Sequence, residues 1–122
     1  MKLIDHYING ENANFSGLSS TPVFNPASGE EIARVVSGTS ECINSAVRSA
    51  KEIFPEWSNT TPLVRARKMF KLKELIEFRQ NELAKLISQE HGKTFDDALG
   101  EIARGLEVVE FACGIPNHLA GK

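Results

Sequence analysis

The sequence predicts a mostly α-helical chain, an N-terminal β-hairpin followed by about three helices. Three observations carry this. Turn and strand signals are confined to residues 1–38. Three stretches of helical period, each with start or stop signals, follow over residues 39–122. No internal repeat or low-complexity tract interrupts them.

Asn9-Gly10 is a tight-turn pair, because both residues tolerate positive φ. Residues 22–25 and 31–36 are short strand candidates, with Pro26-Ala27-Ser28-Gly29 as the turn between them. They read as a β-hairpin whose faces need covering. Ser37-Gly38-Thr39-Ser40 breaks the pattern and can cap a helix. The first helix is expected over residues 40–54, where Ile43, Ala46, Val47, Ala50 and Phe54 recur at helical spacing. Pro55 is expected to end it, leaving Trp57 in a linker. Thr60-Thr61-Pro62 then reads as an N-cap followed by a first-turn proline. The second helix runs to about residue 89 on a stripe that includes Leu63, Met69, Leu72, Leu75, Ile76, Leu83, Leu86 and Ile87. Its length allows a bend near Asn81, and Gly92 is its C-terminal stop.

Thr94-x-x-Asp97 resembles a capping box with Asp in place of Glu, so a third helix runs to about Cys113, where Gly114 and Pro116 stop it. This helix is apolar on more than one side. Leu99, Ile102, Leu106 and Val109 form one stripe, and Val108 and Phe111 lie opposite. Such a helix needs protein on both sides. The pattern suggests a piece of something larger.

Composition is that of an ordinary folded domain, hydrophobic 41% and charged 25%, which excludes a disordered tail or a fibrous repeat. A net charge of −2 gives no reason to expect nucleic acid. The basic run at residues 65–73, RARKMFKLK, is interrupted by Met69, Phe70 and Leu72 at helical spacing, as on a solvated helix face. Cys42 and Cys113 lie far apart with no metal-ligand spacing, which points to two packed thiols in a reducing compartment. The start, MKLIDHYING, is neither a signal core nor a transit segment, and no apolar run approaches a membrane span. A soluble cytoplasmic protein is expected.

Gly92-Lys93-Thr94 has the tail of a phosphate-binding loop. Ile87 stands where that loop needs its first glycine, so the backbone cradle cannot form. No G-x-G-x-x-G is present. His6, His91 and His118 are scattered, and His118, five residues after Cys113, has no third group to orient it. Arg104 carries more information. At about 100° per residue it shares a helix face with Asp97, Glu101, Val108 and Phe111. Two readings stand: a surface ion pair with Glu101, or a guanidinium on a partly apolar face aimed at a ligand carboxylate.

Phe24-Asn25-Pro26 with Ser28-Gly29-Glu30 resembles a turn near the start of aldehyde dehydrogenases. Trp57, Arg65, Leu75 and Glu82-Leu83, followed by Glu90-x-Gly92-Lys93, resemble that superfamily's next helices in the same order. The stretch HGKTFDDALGEIARGLEVVEFACGIP is similar to the coenzyme A-acylating, methylmalonate-semialdehyde branch. Arg104, Gly105, Glu107-Val108-Val109-Glu110 and Ala112-Cys113-Gly114 carry that likeness.

The resemblance implies a parent of the α/β, aldehyde dehydrogenase-like class. Residues 1–122 would be the N-terminal part of its NAD-binding domain, 1–38 the β-hairpin region and 39–122 the helical region. The helices would cover one face of a parallel dinucleotide-binding sheet. It implies an oxidoreductase using NAD and coenzyme A to convert methylmalonate or malonate semialdehyde to an acyl-CoA with loss of CO₂. Neither Cys42 nor Cys113 matches the family's nucleophile, so the segment alone is expected to be inactive, with no catalytic or NAD-binding residue of its own. Arg104 occupies the position where this branch binds the substrate carboxylate. Glu90 and the backbone of Val23 match positions of a monovalent-cation site in some members. The implied partners are the remainder of the enzyme chain and further copies in a homo-oligomer, with no nucleic acid and no membrane. The alternatives are a complete small helical interaction module and a dehydrogenase that hydrolyses its thioester.

Overall fold

In the computed structural model, which describes residues 2–14 and 17–119, the chain forms two units, Met1–Asn59 and Thr60–Lys122. The first unit contains more sheet than a single hairpin. Strand β1 (Lys2–Ile4) pairs in parallel with β5 (Glu31–Val36), Lys2 opposite Ala33. The expected hairpin forms between β4 (Ser20–Phe24) and β5, antiparallel, with Val23 opposite Ala33 and a register shift between Val23 and Phe24. The sheet order is therefore β1-β5-β4, and Pro22 sits on an edge strand, where a missing N–H costs least. Its turn is held by Gly29 donating to the Asn25 carbonyl at 2.8 Å and by Ala27 N–H donating to Asn25 Oδ1 at 2.9 Å. Gly29 takes φ 73°.

Asn9 and Gly10 make the tight turn between β2 (Tyr7–Ile8) and β3 (Glu11–Asn12), at φ 54° and 81°. Both central residues lie at positive φ, which matches the right-handed twist of a two-residue hairpin. Helix α1 (Ser40–Asn59) follows, and Thr39 Oγ1 accepts from Cys42 N–H at 3.3 Å at its start. Among the described residues of this unit, Ala33, Val36 and Cys42 are the buried apolar ones.

Helix α1 departs from expectation at its end. It passes through Pro55 and includes Trp57. A proline in a helix forfeits one i→i−4 bond and crowds the preceding turn. Here the lost bond is the one to the Lys51 carbonyl, and one further turn follows the proline. Ser58 Oγ and Asn59 Nδ2 donate to the Pro55 carbonyl at 3.0 and 2.9 Å, so the helix end is closed by side chains.

The second unit is helical. Helix α2 (Pro62–His91) starts at Thr61, whose hydroxyl accepts from Val64 N–H, and runs unbroken through Asn81. Gly92, at φ 84°, ends it in the left-handed region that a Cβ would disfavour. Helix α3 (Phe95–Cys113) returns along α2, and Gly114 ends it. Pro116 lies within one further turn, α4 (Ile115–His118). Ala84 and Ala98 are fully buried between α2 and α3 with Ile102, and Ile76, Leu83, Ile87, Leu99 and Leu106 pack around them. Alanines at the contact let the two helices approach closely. No helix among the described residues is long and apolar enough to cross a membrane.

Candidate functional site

The site-bearing part of the second unit is built by the reversal between α2 and α3. Gly92 N–H donates to the Ser88 carbonyl at 2.9 Å, closing α2. Thr94 Oγ1 accepts from Asp97 N–H at 3.2 Å, opening α3. Only Gly92, Lys93 and Thr94 separate the helices, so Lys93 is delivered alongside the start of α3. There its Nζ donates to Glu101 Oε1. The Lys93 side chain is 17% exposed and that of Glu101 40%, so the contact is partly shielded from solvent.

Lys93 holds the Glu101 carboxyl below its usual range, first through this hydrogen bond and then through its charge. The charges of Arg104 and His91 add to the effect, and desolvation opposes it. A carboxyl lowered in the folded state contributes stability above its unfolded value and loses that contribution as pH falls through the lowered one.

Arg104 lies three residues beyond Glu101 on the exposed side of α3. Its Nη1 stands 3.7 Å from the point where a Cβ on Gly100 would lie, so the guanidinium is laid back over that glycine. It makes no hydrogen bond or ion pair with any described residue. Of its two expected readings, the ion pair with Glu101 is not made within bonding distance: Lys93 takes Glu101 Oε1, and Arg104 acts on that carboxylate through its charge alone. Val108 and Phe111, farther along the same face, are 69% and 70% exposed. An unpaired planar fork beside an apolar stripe can take a carboxylate bidentately while the stripe receives the ligand's carbon atoms.

The remaining candidates lie elsewhere. Val23 is in β4 of the first unit and Glu90 is exposed in the last turn of α2 in the second. Among the described residues no group of three His, Cys, Asp or Glu side chains gathers, which bears on a side-chain metal centre and not on a cation held by the Val23 carbonyl and Glu90. Cys42 is buried with its Sγ 3.2 Å from Thr39 Oγ1, and Cys113 is buried too. His118 rests on the Phe111 ring, centroids 4.5 Å apart. An open groove of about 350 Å³ between α2 and α3 is lined by Ile76, Leu83, Leu86, Ile102 and Val109, with Glu90 at its rim. Its lining is aliphatic and its charge negative, which does not fit the pyrophosphate of a dinucleotide. Lys93 is the residue that sequence reasoning missed. The sequence marks it as part of a phosphate-loop tail and of the family resemblance, and its eight-residue separation from Glu101 matches no single helix turn.

Comparison with known proteins places this geometry. The sequence profile of the aldehyde dehydrogenase family matches residues 14–122. A malonate-semialdehyde dehydrogenase of Pseudomonas aeruginosa is 43% identical over 122 residues, covering 100% of this chain and 24% of its own length. Malonate-semialdehyde dehydrogenase 2 of Bacillus cereus is 42% identical over 121 residues, covering 99% and 25%. Among solved structures, a Sinorhizobium meliloti 1021 protein described as a methylmalonate-semialdehyde dehydrogenase, complexed with NAD, superposes with a TM-score of 0.92. It is 43% identical over 96% of this chain and 24% of its own. The chain spans about a quarter of the length of the relatives it matches. Its fold is the N-terminal part of theirs, and the chain belongs to the aldehyde dehydrogenase family.

Proposed function

We propose that this chain is the N-terminal part of an NAD-dependent, coenzyme A-acylating semialdehyde dehydrogenase in which Arg104 binds the substrate carboxylate. The reaction joins malonate or methylmalonate semialdehyde, coenzyme A and NAD⁺ to give acetyl- or propionyl-CoA, CO₂ and NADH. NAD, when bound, supplies the hydride acceptor. None of its contacts are assigned to this chain, whose α2–α3 groove lacks the donors that phosphates need.

The observation that carries the reading is the unpaired guanidinium of Arg104 on a partly apolar helix face. The names of the relatives, malonate- and methylmalonate-semialdehyde dehydrogenases, support the choice of a substrate bearing both an aldehyde and a carboxylate. Arg104 would fix that carboxylate through two parallel N–H donors and so orient the aldehyde at the far end of a short carbon chain. Within the proposal this segment contributes scaffold and specificity, while the nucleophilic thiol is neither of its buried cysteines.

The test is Arg104→Leu in the full-length enzyme. A charged hydrogen-bonded contact of about 1.5–3 kcal/mol converts to a fall in kcat/KM for malonate semialdehyde of roughly 10–150-fold. Propanal lacks the carboxylate, so its kcat/KM should hold. Arg104→Lys should recover part of the loss, because an ammonium lacks the planar fork. Equal losses on both aldehydes with a lowered Tm would assign Arg104 to structure instead.

A further inference from the structure

Arg104 has an obvious competitor for any ligand carboxylate. Glu101 sits three residues earlier on the same helix, a spacing at which Glu and Arg side chains ordinarily pair. Left to itself, that carboxylate would compete with the substrate for the guanidinium, with the modest strength of an exposed helix pair. In the structure it does not. Lys93, arriving from outside the helix by way of the Gly92 turn, donates to Glu101 from the less exposed side. Arg104 lies over Gly100 instead, at 3.7 Å from the point where a Cβ would stand, an ordinary contact distance.

We propose that Lys93 is a positioning residue for Arg104: by engaging the Glu101 carboxylate, it keeps the neighbouring guanidinium open to the substrate's carboxylate. The inference rests on the carboxylate-binding reading of Arg104 and adds the reason that Arg104 is available. Glu101 stays near enough to contribute local negative charge, so the arrangement also disfavours a loosely seated anion and rewards one that reaches the fork squarely.

The test uses the full-length enzyme with NAD and coenzyme A, comparing malonate semialdehyde with propanal. In Lys93→Met the freed Glu101 should capture Arg104 and raise KM for malonate semialdehyde roughly 2–5-fold, the scale of a partly exposed pair, with kcat little changed. Adding Glu101→Gln to that variant removes the competitor and should return KM toward the parent value. Lys93→Arg should keep it. An unchanged KM in Lys93→Met, or no recovery in the double variant, overturns the proposal. Should Lys93→Met fold poorly, Glu101→Gln alone still decides. Retained or improved selectivity for malonate semialdehyde over propanal supports the proposal. Reduced selectivity would show that Glu101 helps hold Arg104, and overturns it. Arg104→Leu separates this inference from its premise. If that variant keeps full selectivity, carboxylate binding by Arg104 is wrong and the positioning role falls with it. If Arg104→Leu loses selectivity while Lys93→Met does not, only the positioning role is wrong.

Discussion

Thr94 shows how one hydroxyl supports everything downstream of it. It accepts from Asp97 N–H at 3.2 Å and so fixes where α3 begins. Lys93 precedes it directly, and Glu101 and Arg104 lie on the helix it starts. Thr94→Ala should cost about 1 kcal/mol, read as a lower urea midpoint, and a midpoint unchanged within error would show the cap to be dispensable. Thr94, Thr61 and Gly92 were legible in the sequence because capping is a local property, decided within three or four residues. The Lys93–Glu101 contact was not, because it depends on how α2 and α3 pack, which no spacing rule encodes. Arg104 was legible as a candidate from its helix face. That it pairs with none of the described residues depends on side-chain placement, which spacing does not encode.

At the scale of the element, α1 is where local signals misled. Pro55 is a strong stop, yet the helix continues to Asn59. Ser58 and Asn59 donate to the Pro55 carbonyl and close the turn that follows the proline. Pro55→Ala should therefore stabilise the chain by about 1–2 kcal/mol, the relief of an in-helix proline less the gain in unfolded-state entropy. A urea midpoint that falls instead would mean that the proline ring itself contributes contacts. The β4–β5 hairpin, in contrast, was readable from Asn25 to Gly29, where a turn sequence and two β-prone runs adjoin. The parallel partner β1 was not, because its pairing spans the whole of both hairpins.

For the whole molecule the decisive fact is apolar surface without cover. Phe78 is 87% exposed, and Val108, Phe111, Phe70 and Leu63 are also exposed in the second unit. The expectation that α3 needs protein on two sides agrees with this, since Ile102 is buried toward α2 while Val108 and Phe111 are left open. Contiguous apolar surface of this kind is what marks contact with further protein. The 122-residue chain on its own should self-associate, with an average mass in sedimentation that rises with concentration. A sharp monomer boundary at high concentration would show that the exposed aromatics are masked.

The parallel strand β1 has a consequence in time. Lys2 to Ile4 leave the ribosome well before their partner residues 33–35, which emerge only after both hairpin turns have been made. Closing that loop carries an entropy cost of about 3 kcal/mol before any apolar gain. During synthesis the first strand is thus an unclaimed edge, carrying Leu3 and Ile4 and open to whatever backbone passes. A deletion of those residues should therefore harm the yield of folded protein more than its stability once folded.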